Sequence, residues 1–495
     1  MEYIKDYSCV EKNEKVFSKN IENENDYSET LPAYCDDIYR IVKCCAHSSI
    51  TSVNISPPEI NISGKCVIKL TYYNESSSLC YADFEENFSM ALSVENLSDS
   101  AFAQAAICDK YTSFRVINQR KIDVHSSSLI AIRIYDKMKY PCIKSCSGSK
   151  LKKDSVKSAN IIAANISKIE FDEEFAVPAD SQAINRIVSS DFSVKLIETK
   201  IIKDKVLVKA EVTARVLYSS GNDNALSGTS ASFGISKIIE QNGIDENDII
   251  ICNLNVVNAF HKAKSGSGDS PGNIEVYGEI CVSSVFIREQ NTEYISDGYL
   301  IKNCSSCSHC ECKAYSGAKH INESKLFNLS LDYSNDIKEV KELSLQLSTP
   351  VTRNGRIILR ADAAIIYENE SESLASMSAS GEIAIDCEGR EFAISAFNVK
   401  TVDYSLSSSR QIDLRMGIDI NAYCYDEIVV KMLADISEGE ASEDMPTLTI
   451  YFAKEKEKIW NIAKSFSSDE ELIINENSLS GDTLDSDKIL IIPRV

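Results

Sequence analysis

The chain has 495 residues, 43% of them hydrophobic, so it is long enough for several domains and apolar enough to build buried cores. It carries 74 acidic and 52 basic residues, a formal net charge of −22. A surface this acidic repels phosphate backbones and anionic lipid headgroups, and we therefore expect no nucleic-acid partner.

The N-terminal segment, residues 1–30, is polar and acidic, and we predict that it is flexible. Its opening residues are charged and lack the apolar core of a secretory signal. No apolar run in the sequence approaches the roughly 18 residues that cross a bilayer, so we expect no transmembrane segment. These features together predict a cytoplasmic protein.

The body of the chain repeats three sequence markers in the same order. The first is an Arg-Ile-Val triplet, present at Arg40-Ile41-Val42 and at Arg186-Ile187-Val188. The second is a run of alternating apolar and polar residues that ends on tyrosine, found at 59–72, 205–218 and 356–367. The third is an apolar-acidic-apolar triplet, found at 122–124, 274–276 and 412–414. Repetition at this spacing predicts three duplicated domains, which we place at 31–140, 160–300 and 322–436.

Each repeat is expected to be mostly β-structure. Residues 201–218 and 275–286 alternate apolar with polar side chains, a period of two that is typical of strands with one buried face. Several strands per repeat pack most simply as a sandwich or a barrel. The predicted fold class is therefore mainly β, with three tandem β-sandwich or barrel-like domains followed by a small βααβ module.

The second repeat, residues 181–299, resembles a SPOCS domain. The resemblance is carried by Arg186-Ile187-Val188, by the runs 204–210 and 216–218, and by the elements Phe233-Gly234-Ile235-Ser236 and Ile244-Asp245-Glu246. The first repeat is a more divergent match and the third is the weakest.

A cysteine-rich segment, residues 301–321, separates the second and third repeats and is predicted to be a linker. It holds four of the 17 cysteines, at Cys304, Cys307, Cys310 and Cys312. Four thiolates can bind zinc, which makes these residues a candidate metal site. Structural zinc sites usually use two pairs of ligands a dozen or more residues apart, however. Redox cross-links and unpaired thiols are the alternatives.

Candidate catalytic residues are few. The run Cys44-Cys45-Ala46-His47 suggests a Cys/His nucleophile, but it continues an apolar element, and the sequence names no third group to orient the histidine. The sequence contains neither a His-Glu-x-x-His motif nor a Gly-x-Ser-x-Gly elbow, and it has five histidines. We therefore expect no enzyme activity and no cofactor.

An acidic tether, residues 437–446, leads to a tail, 447–495, that resembles a LysM module. A short strand, a helical stretch at 460–464, an amphipathic stretch at 469–475 and an apolar run at 489–492 follow the βααβ order of that family. The steps Trp-x-Ile-Ala-Lys, Glu-Glu-Leu-Ile-x-x-Asn and Leu-x-Ile-Pro stand where the family has them. We expect the tether to let this module swing.

LysM modules usually bind N-acetylglucosamine glycans and sometimes bind proteins. The family's Gly-Asp-Thr turn, one wall of the sugar groove, is replaced here by Lys456, Glu457 and Lys458, which favours a charged protein surface as the ligand. A Gly-Asp-Thr-Leu does occur at 481–484, and we expect it to lie away from that wall. The predicted partner-binding residues are Lys456, Glu457, Lys458, Ile459, Trp460, Asn477 and Leu479.

Tandem SPOCS-like repeats followed by a LysM tail resemble the spore-coat morphogenetic proteins of the SipL and SpoVID type. The resemblance implies a scaffold that is made in the mother-cell cytoplasm of a sporulating bacterium and acts at the forespore surface in the spore coat. There its LysM module would recruit a SpoIVA-like coat ATPase or another coat protein. The alternative is a cell-wall or cortex protein that binds peptidoglycan or another N-acetylglucosamine glycan.

Overall fold

The computed structural model describes residues 3–178, 183–220, 225–265, 271–332, 337–348, 350–370, 373–390, 392–407, 411–439 and 448–493. Within these ranges the protein is almost entirely β-strand, with two short α-helices in the C-terminal module. The strands fall into three units with a common strand order, and the module follows them.

Unit one contains β1 (Lys5–Thr30), β2 (Arg40–Ser56), β3 (Glu59–Tyr73), β4 (Leu79–Ser93), β5 (Phe102–Asn118) and β6 (Lys121–Cys146). Unit two contains β7 (Ser149–Ala176), β8 (Ile184–Ile202), β9 (Lys205–Ser220), β10 (Ala225–Glu240), β11 (Ile249–Ser265) and β12 (Gly272–Leu300). Unit three contains β13 (Ser305–Asp332), β14 (Ile337–Leu347), β15 (Val351–Arg353), β16 (Arg356–Asn369), β17 (Leu374–Asp386), β18 (Phe392–Ser407) and β19 (Gln411–Glu438). The module contains β20 (Leu448–Ala453), α1 (Ile459–Ser465), α2 (Glu470–Glu476) and β21 (Lys488–Pro493).

Each unit is a pair of antiparallel sheets packed face to face. One sheet is a meander, β2-β3-β4 in unit one and β8-β9-β10 in unit two; in unit three, β16 pairs with β14, β15 and β17. In the other sheet the first strand of the unit pairs with its last, β1 with β6, β7 with β12 and β13 with β19. The core lies between the two sheets, as where Val208 of β9 packs in one cluster with Val282 of β12. The mainly β class is confirmed, and the sheets are open, so the units are sandwiches rather than barrels.

The repeated sequence markers occupy equivalent places in the three units. The alternating runs form the central meander strands β3, β9 and β16, and their tyrosines, Tyr72, Tyr218 and Tyr367, are all buried. The apolar-acidic-apolar triplets lie at the start of the last long strands β6, β12 and β19. The alternation therefore arises because one face of each of these strands is turned into the core.

Two segments predicted to be flexible or linking are strands instead. Most of 1–30 forms β1, and much of 301–321 forms the first half of β13. Both predictions are wrong because each strand pairs along its whole length with the last strand of its unit, which satisfies the backbone of a polar sequence. The buried polar side chain of Lys12 is also bonded, since its Nζ donates to Lys313 O at 2.7 Å. Most of the predicted tether, 440–446, lies outside the described residues.

The three units pack directly against one another. Lys43 Nζ of unit one lies 3.0 Å from Glu342 Oε1 of unit three, and both side chains are largely buried. Arg40 donates to Leu374 O at 3.1 Å across the same boundary. Strands β7 and β13 meet at one residue pair, which joins units two and three into the six-stranded sheet β11-β12-β7-β13-β19-β18. The repeats are therefore not separated by linkers.

Candidate binding site in the C-terminal module

The C-terminal module is a two-stranded antiparallel sheet with two short helices on one face. Its core is formed by the buried side chains of Ala453, Ile459, Ile462, Ala463, Ile473, Leu484, Leu490 and Ile492. Helix α2 begins after Asp469, whose side chain accepts the Glu471 N–H at 2.9 Å, and its first turn is acidic, as the helix dipole favours. The βααβ order predicted from the sequence is confirmed.

The turn between β20 and α1 presents Lys456 and Lys458 to solvent. Lys456 has a φ of 70°, a left-handed conformation that glycine adopts most easily. The segment 481–484 holds this turn, since Lys456 N–H donates to Leu484 O at 2.8 Å and Leu484 N–H donates to Glu457 O at 3.0 Å. The expectation that this Gly-Asp-Thr-Leu lies away from the turn is wrong, because the chain pairs the two segments just before β21.

Four of the predicted contact residues serve the module's own structure. Ile459 is fully buried, and Leu479 packs against the same core. The Asn477 side chain pairs with the backbone of Ile491, donating to its carbonyl at 2.7 Å and accepting its N–H at 2.7 Å. The Glu457 carboxylate accepts a hydrogen bond from the backbone of its own turn at 3.1 Å. The sequence predicts which loops carry these residues, but it does not show which of their side chains point inward.

The face of the two-stranded sheet opposite the helices is apolar and exposed. We call it the outer sheet face; its residues are Leu448, Ile450, Phe452, Ile489 and Ile491, with exposures from 40% to 71%. Cross-strand pairing places Ile450 opposite Ile491 and Phe452 opposite Ile489, so the side chains form one patch. Strands that are apolar on both faces are typical of sheets covered on both sides. The continuous apolar runs of β20 and β21 could have indicated this surface from the sequence.

The module is docked on the end of β12. Trp460 Nε1 donates to Asp297 Oδ2 at 2.9 Å, and Lys464 Nζ pairs with the same carboxylate. The buried ring of Tyr299 meets the Trp460 ring edge-on, with centroids 5.0 Å apart. Lys150 Nζ also forms an ion pair with Asp469 Oδ2 of the module, at a distance of 3.1 Å. The expectation of a freely swinging module is therefore wrong, and Trp460 belongs to an internal interface.

Acidification is expected to weaken this docking. Burial alone raises the pKa of Asp297, but Lys464 and Trp460 bond its carboxylate and hold the pKa below its ordinary value. A carboxylate whose pKa is lowered in the docked state stabilises that state above the ordinary pKa of about 4, and the contribution is lost as the pH falls below it. Because Trp460 is the only tryptophan, its fluorescence emission should move to longer wavelength in that range.

The matched control is Asp297→Asn, which should already show the shifted emission at neutral pH and should lose the acid dependence. An emission maximum that stays constant in the unsubstituted protein until the β units unfold would contradict the role given to Asp297.

The four cysteines predicted as a metal site are not brought together. They lie along or beside β13, where the chain rises about 3.3 Å per residue, and Cys307 packs in a different cluster from Cys310 and Cys312. Cys307 Sγ donates to Gly298 O at 3.1 Å, whereas Cys312 is buried in an apolar cluster. Within the described part of the chain, no group of three or more His, Cys, Asp or Glu side chains could hold a metal ion. The structure therefore does not form the site proposed for Cys304, Cys307, Cys310 and Cys312.

In the structure, an acidic side chain lies beside the Cys45/His47 pair. His47 Nδ1 lies 3.9 Å from Asp109 Oδ2, from a strand far along the sequence. Burial raises the pKa of Cys45, but His47 counters it and brings it down to about 7; burial lowers the pKa of His47, but Cys45 and Asp109 raise it to about 9. A cleft of about 950 Å³ nearby is lined by Asp109 but by neither Cys45 nor His47. Cys45 and His47 therefore interact with each other within β2, and neither side chain lines this cleft.

Two family models match the chain. A model described as SipL, SPOCS domain, matches residues 183–263, which form β8 to β11 of unit two. A LysM domain model matches residues 453–493, most of the C-terminal module. No curated protein and no solved structure matches the chain.

The chain therefore combines a SPOCS domain with a C-terminal LysM domain. This order matches the architecture of the spore-coat morphogenetic proteins of the SipL and SpoVID type, as the sequence predicted. The two domains indicate a coat-associated sporulation protein that carries a module of a glycan-binding class. Among the described residues, neither helix has the length and apolar character needed to cross a membrane.

Proposed function

We propose that this protein is a non-enzymatic scaffold of the spore coat that recruits a coat protein, such as a SpoIVA-like ATPase, to the forespore surface in the mother cell through its LysM module. The observation that carries the proposal is the outer sheet face, a continuous apolar patch on a module that belongs to a binding family. Exposed apolar patches of this kind mark surfaces that a partner covers.

The lysine-bearing turn adjoins the outer sheet face, because Phe452 and Lys454 lead directly from β20 into it. Lys456 Nζ lies 3.6 Å from Glu455 Oε1, and an exposed pair of this kind contributes about 0–1 kcal/mol. Both Lys456 and Lys458 can therefore turn to an acidic partner surface. Apolar contact then supplies most of the affinity, while the lysines select an acidic rim and speed association.

Docking leaves these features available to a partner. The contacts to β12 use Trp460 and Lys464 of α1, which packs on the other face of the sheet. A docked module presents the outer sheet face in a fixed orientation, and this reduces the ordering cost of binding. We therefore assign the apolar contact with the partner to the outer sheet face and not to Ile459 and Leu479.

Charge reversal at the turn is expected to weaken recruitment most at low salt. In the full chain, Lys456→Glu combined with Lys458→Glu should raise the Kd for a purified SpoIVA-like coat ATPase about tenfold at low ionic strength, because it replaces two attractive charges by two repulsive ones. The difference should shrink as salt screens the charges. Binding measured by biolayer interferometry at two salt concentrations tests this.

The matched control is Lys200→Glu with Lys203→Glu, which changes the net charge equally at exposed sites of unit two. Equal weakening by both double variants would assign the effect to overall charge and remove the turn from the proposed surface.

The alternative, recognition of peptidoglycan glycan, has one observation in its favour. The Gly-Asp-Thr-Leu at 481–484 lies beside the turn, where Thr483 pairs with Lys458 in an isolated bridge. Co-sedimentation of the full chain with purified peptidoglycan separates the two functions. Sedimentation that Thr483→Ala abolishes, together with no binding to the coat ATPase, would establish the glycan function instead.

A further inference from the structure

Two thiols from different units lie in contact. Cys142 is near the end of β6 in unit one, and Cys310 is near the start of β13 in unit three. They are 168 residues apart in the sequence, and their Sγ atoms are 3.8 Å apart. A disulfide bond is about 2.0 Å long, so the two sulfur atoms need to approach each other by roughly 2 Å.

The surroundings make the two thiols unequal. Cys142 is 3% exposed and packs in an apolar cluster, with its Sγ 3.9 Å from Met432 Sδ. Cys310 is only partly buried and lies at the edge of the same cluster, where its Sγ points to Pro141 O at 3.6 Å. A small reagent in solution therefore reaches Cys310 first, and Cys142 stands directly behind it.

We propose that Cys142 and Cys310 are an oxidation site, at which a peroxide converts the two thiols into a disulfide that ties unit one to unit three. The Cys310 sulfur attacks a peroxide oxygen, the O–O bond breaks, and water leaves with the thiol proton, which makes Cys310 a sulfenic acid. The Cys142 sulfur then attacks the Cys310 sulfur, the S–O bond breaks and the S–S bond forms. A second water carries away the hydroxyl group and the Cys142 proton. The two thiols lose two electrons and two protons, and the peroxide is reduced to two waters.

The protonation of Cys142 agrees with this order. Burial, followed by the neighbouring Cys310 sulfur, raises the pKa of Cys142 to about 12, so at neutral pH it is a thiol and a poor first nucleophile. The proximity of the two sulfur atoms offsets this low reactivity. A sulfenic acid formed on Cys310 lies 3.8 Å from the Cys142 sulfur, which corresponds to a high effective concentration. The second step therefore competes with further oxidation of Cys310.

The cross-link constrains a large part of the chain. It closes a loop that contains the end of unit one and all of unit two, and loops of this length restrict the unfolded chain strongly. Cys312 lies two residues along the same strand and is buried in the same cluster, which makes it the competing partner. The contact between Cys142 and Cys310 predicts that the bond forms between these two.

The test uses the purified full chain, fully reduced and then treated with a small excess of hydrogen peroxide. Free thiols are alkylated, the protein is digested without reduction, and the peptides are identified by mass spectrometry. We expect a Cys142–Cys310 cross-linked peptide whose mass is lower by two hydrogen atoms than the sum of its parts, and a higher melting temperature that a reductant reverses. Cys66 is fully buried and should resist alkylation until the chain unfolds, which verifies that the fold is intact.

Cys310→Ser should abolish the cross-link and the rise in melting temperature, whereas Cys312→Ser should keep both. Cys310→Ser replaces a partly exposed side chain, so the test does not depend on the buried Cys142 variant folding. Either a Cys310–Cys312 bond, or Cys310 oxidised beyond the sulfenic acid while Cys142 is alkylated once the oxidised chain has been unfolded, would overturn the proposal.

Discussion

Removal of residues 447–495 is expected to abolish capture of the coat partner and to leave the three β units folded. The cores of the units are built from their own strands, as in the clusters between β9 and β12 and between β16 and β19. The outer sheet face and the lysine-bearing turn both leave with the module. The measurements are binding of a purified SpoIVA-like coat ATPase and the strand content by circular dichroism. Capture by the truncated chain would place the binding surface in the SPOCS-like units.

A double substitution tests the outer sheet face while leaving the rest of the module in place. Phe452→Ser with Ile491→Ser removes two side chains of the outer sheet face that are 71% and 40% exposed, and so costs the module little stability. Loss of a hot-spot anchor costs about 2 kcal/mol or more, so loss of the two together should raise the Kd about 1,000-fold. Leu326→Ser is the matched control, since Leu326 is 78% exposed on β13. An unchanged Kd for the double variant would remove the outer sheet face from the proposed interface.

Trp460→Ala is expected to release the module from β12. The substitution removes the hydrogen bond to Asp297 and the edge-on contact with Tyr299, while the core around Ile462 and Ile473 remains. Because Trp460 is half-buried, we expect a loss of about 3 kcal/mol from the docked state, at the low end for a tryptophan truncation. Calorimetry should show a separate unfolding transition for the module at lower temperature.

Trp460→Phe is the companion variant, because it keeps a ring against Tyr299 and removes only the N–H donor. We expect it to lose about 1 kcal/mol, the usual contribution of one hydrogen bond to stability. If Trp460→Ala leaves a single unfolding transition at the original temperature, the contact with Asp297 and Tyr299 does not hold the module in place.

The candidate site was predictable from sequence only in part. The βααβ order of the tail followed from helical and strand periodicity, and Lys456 and Lys458 were recognised as exposed turn residues. The sequence predicts an apolar contact through Ile459 and Leu479, whereas the structure places both against the core and exposes the outer sheet face instead. Alternation of apolar and polar residues indicates which face of a strand is buried. When both faces of a strand are apolar, the pattern does not show which face the helices cover.

What the sequence by itself determined is the local structure and its repetition. Alternation along β3, β9 and β16 determined strands with one buried face, and the recurring markers determined three similar units. Only the tertiary structure decided that 1–30 and 301–321 are strands, that Trp460 docks on Asp297, and that Cys142 meets Cys310. Those features depend on pairing between residues about 90 to 170 positions apart. Such pairing can satisfy the backbone of a polar segment, or bury a side chain, where the local pattern indicates solvent.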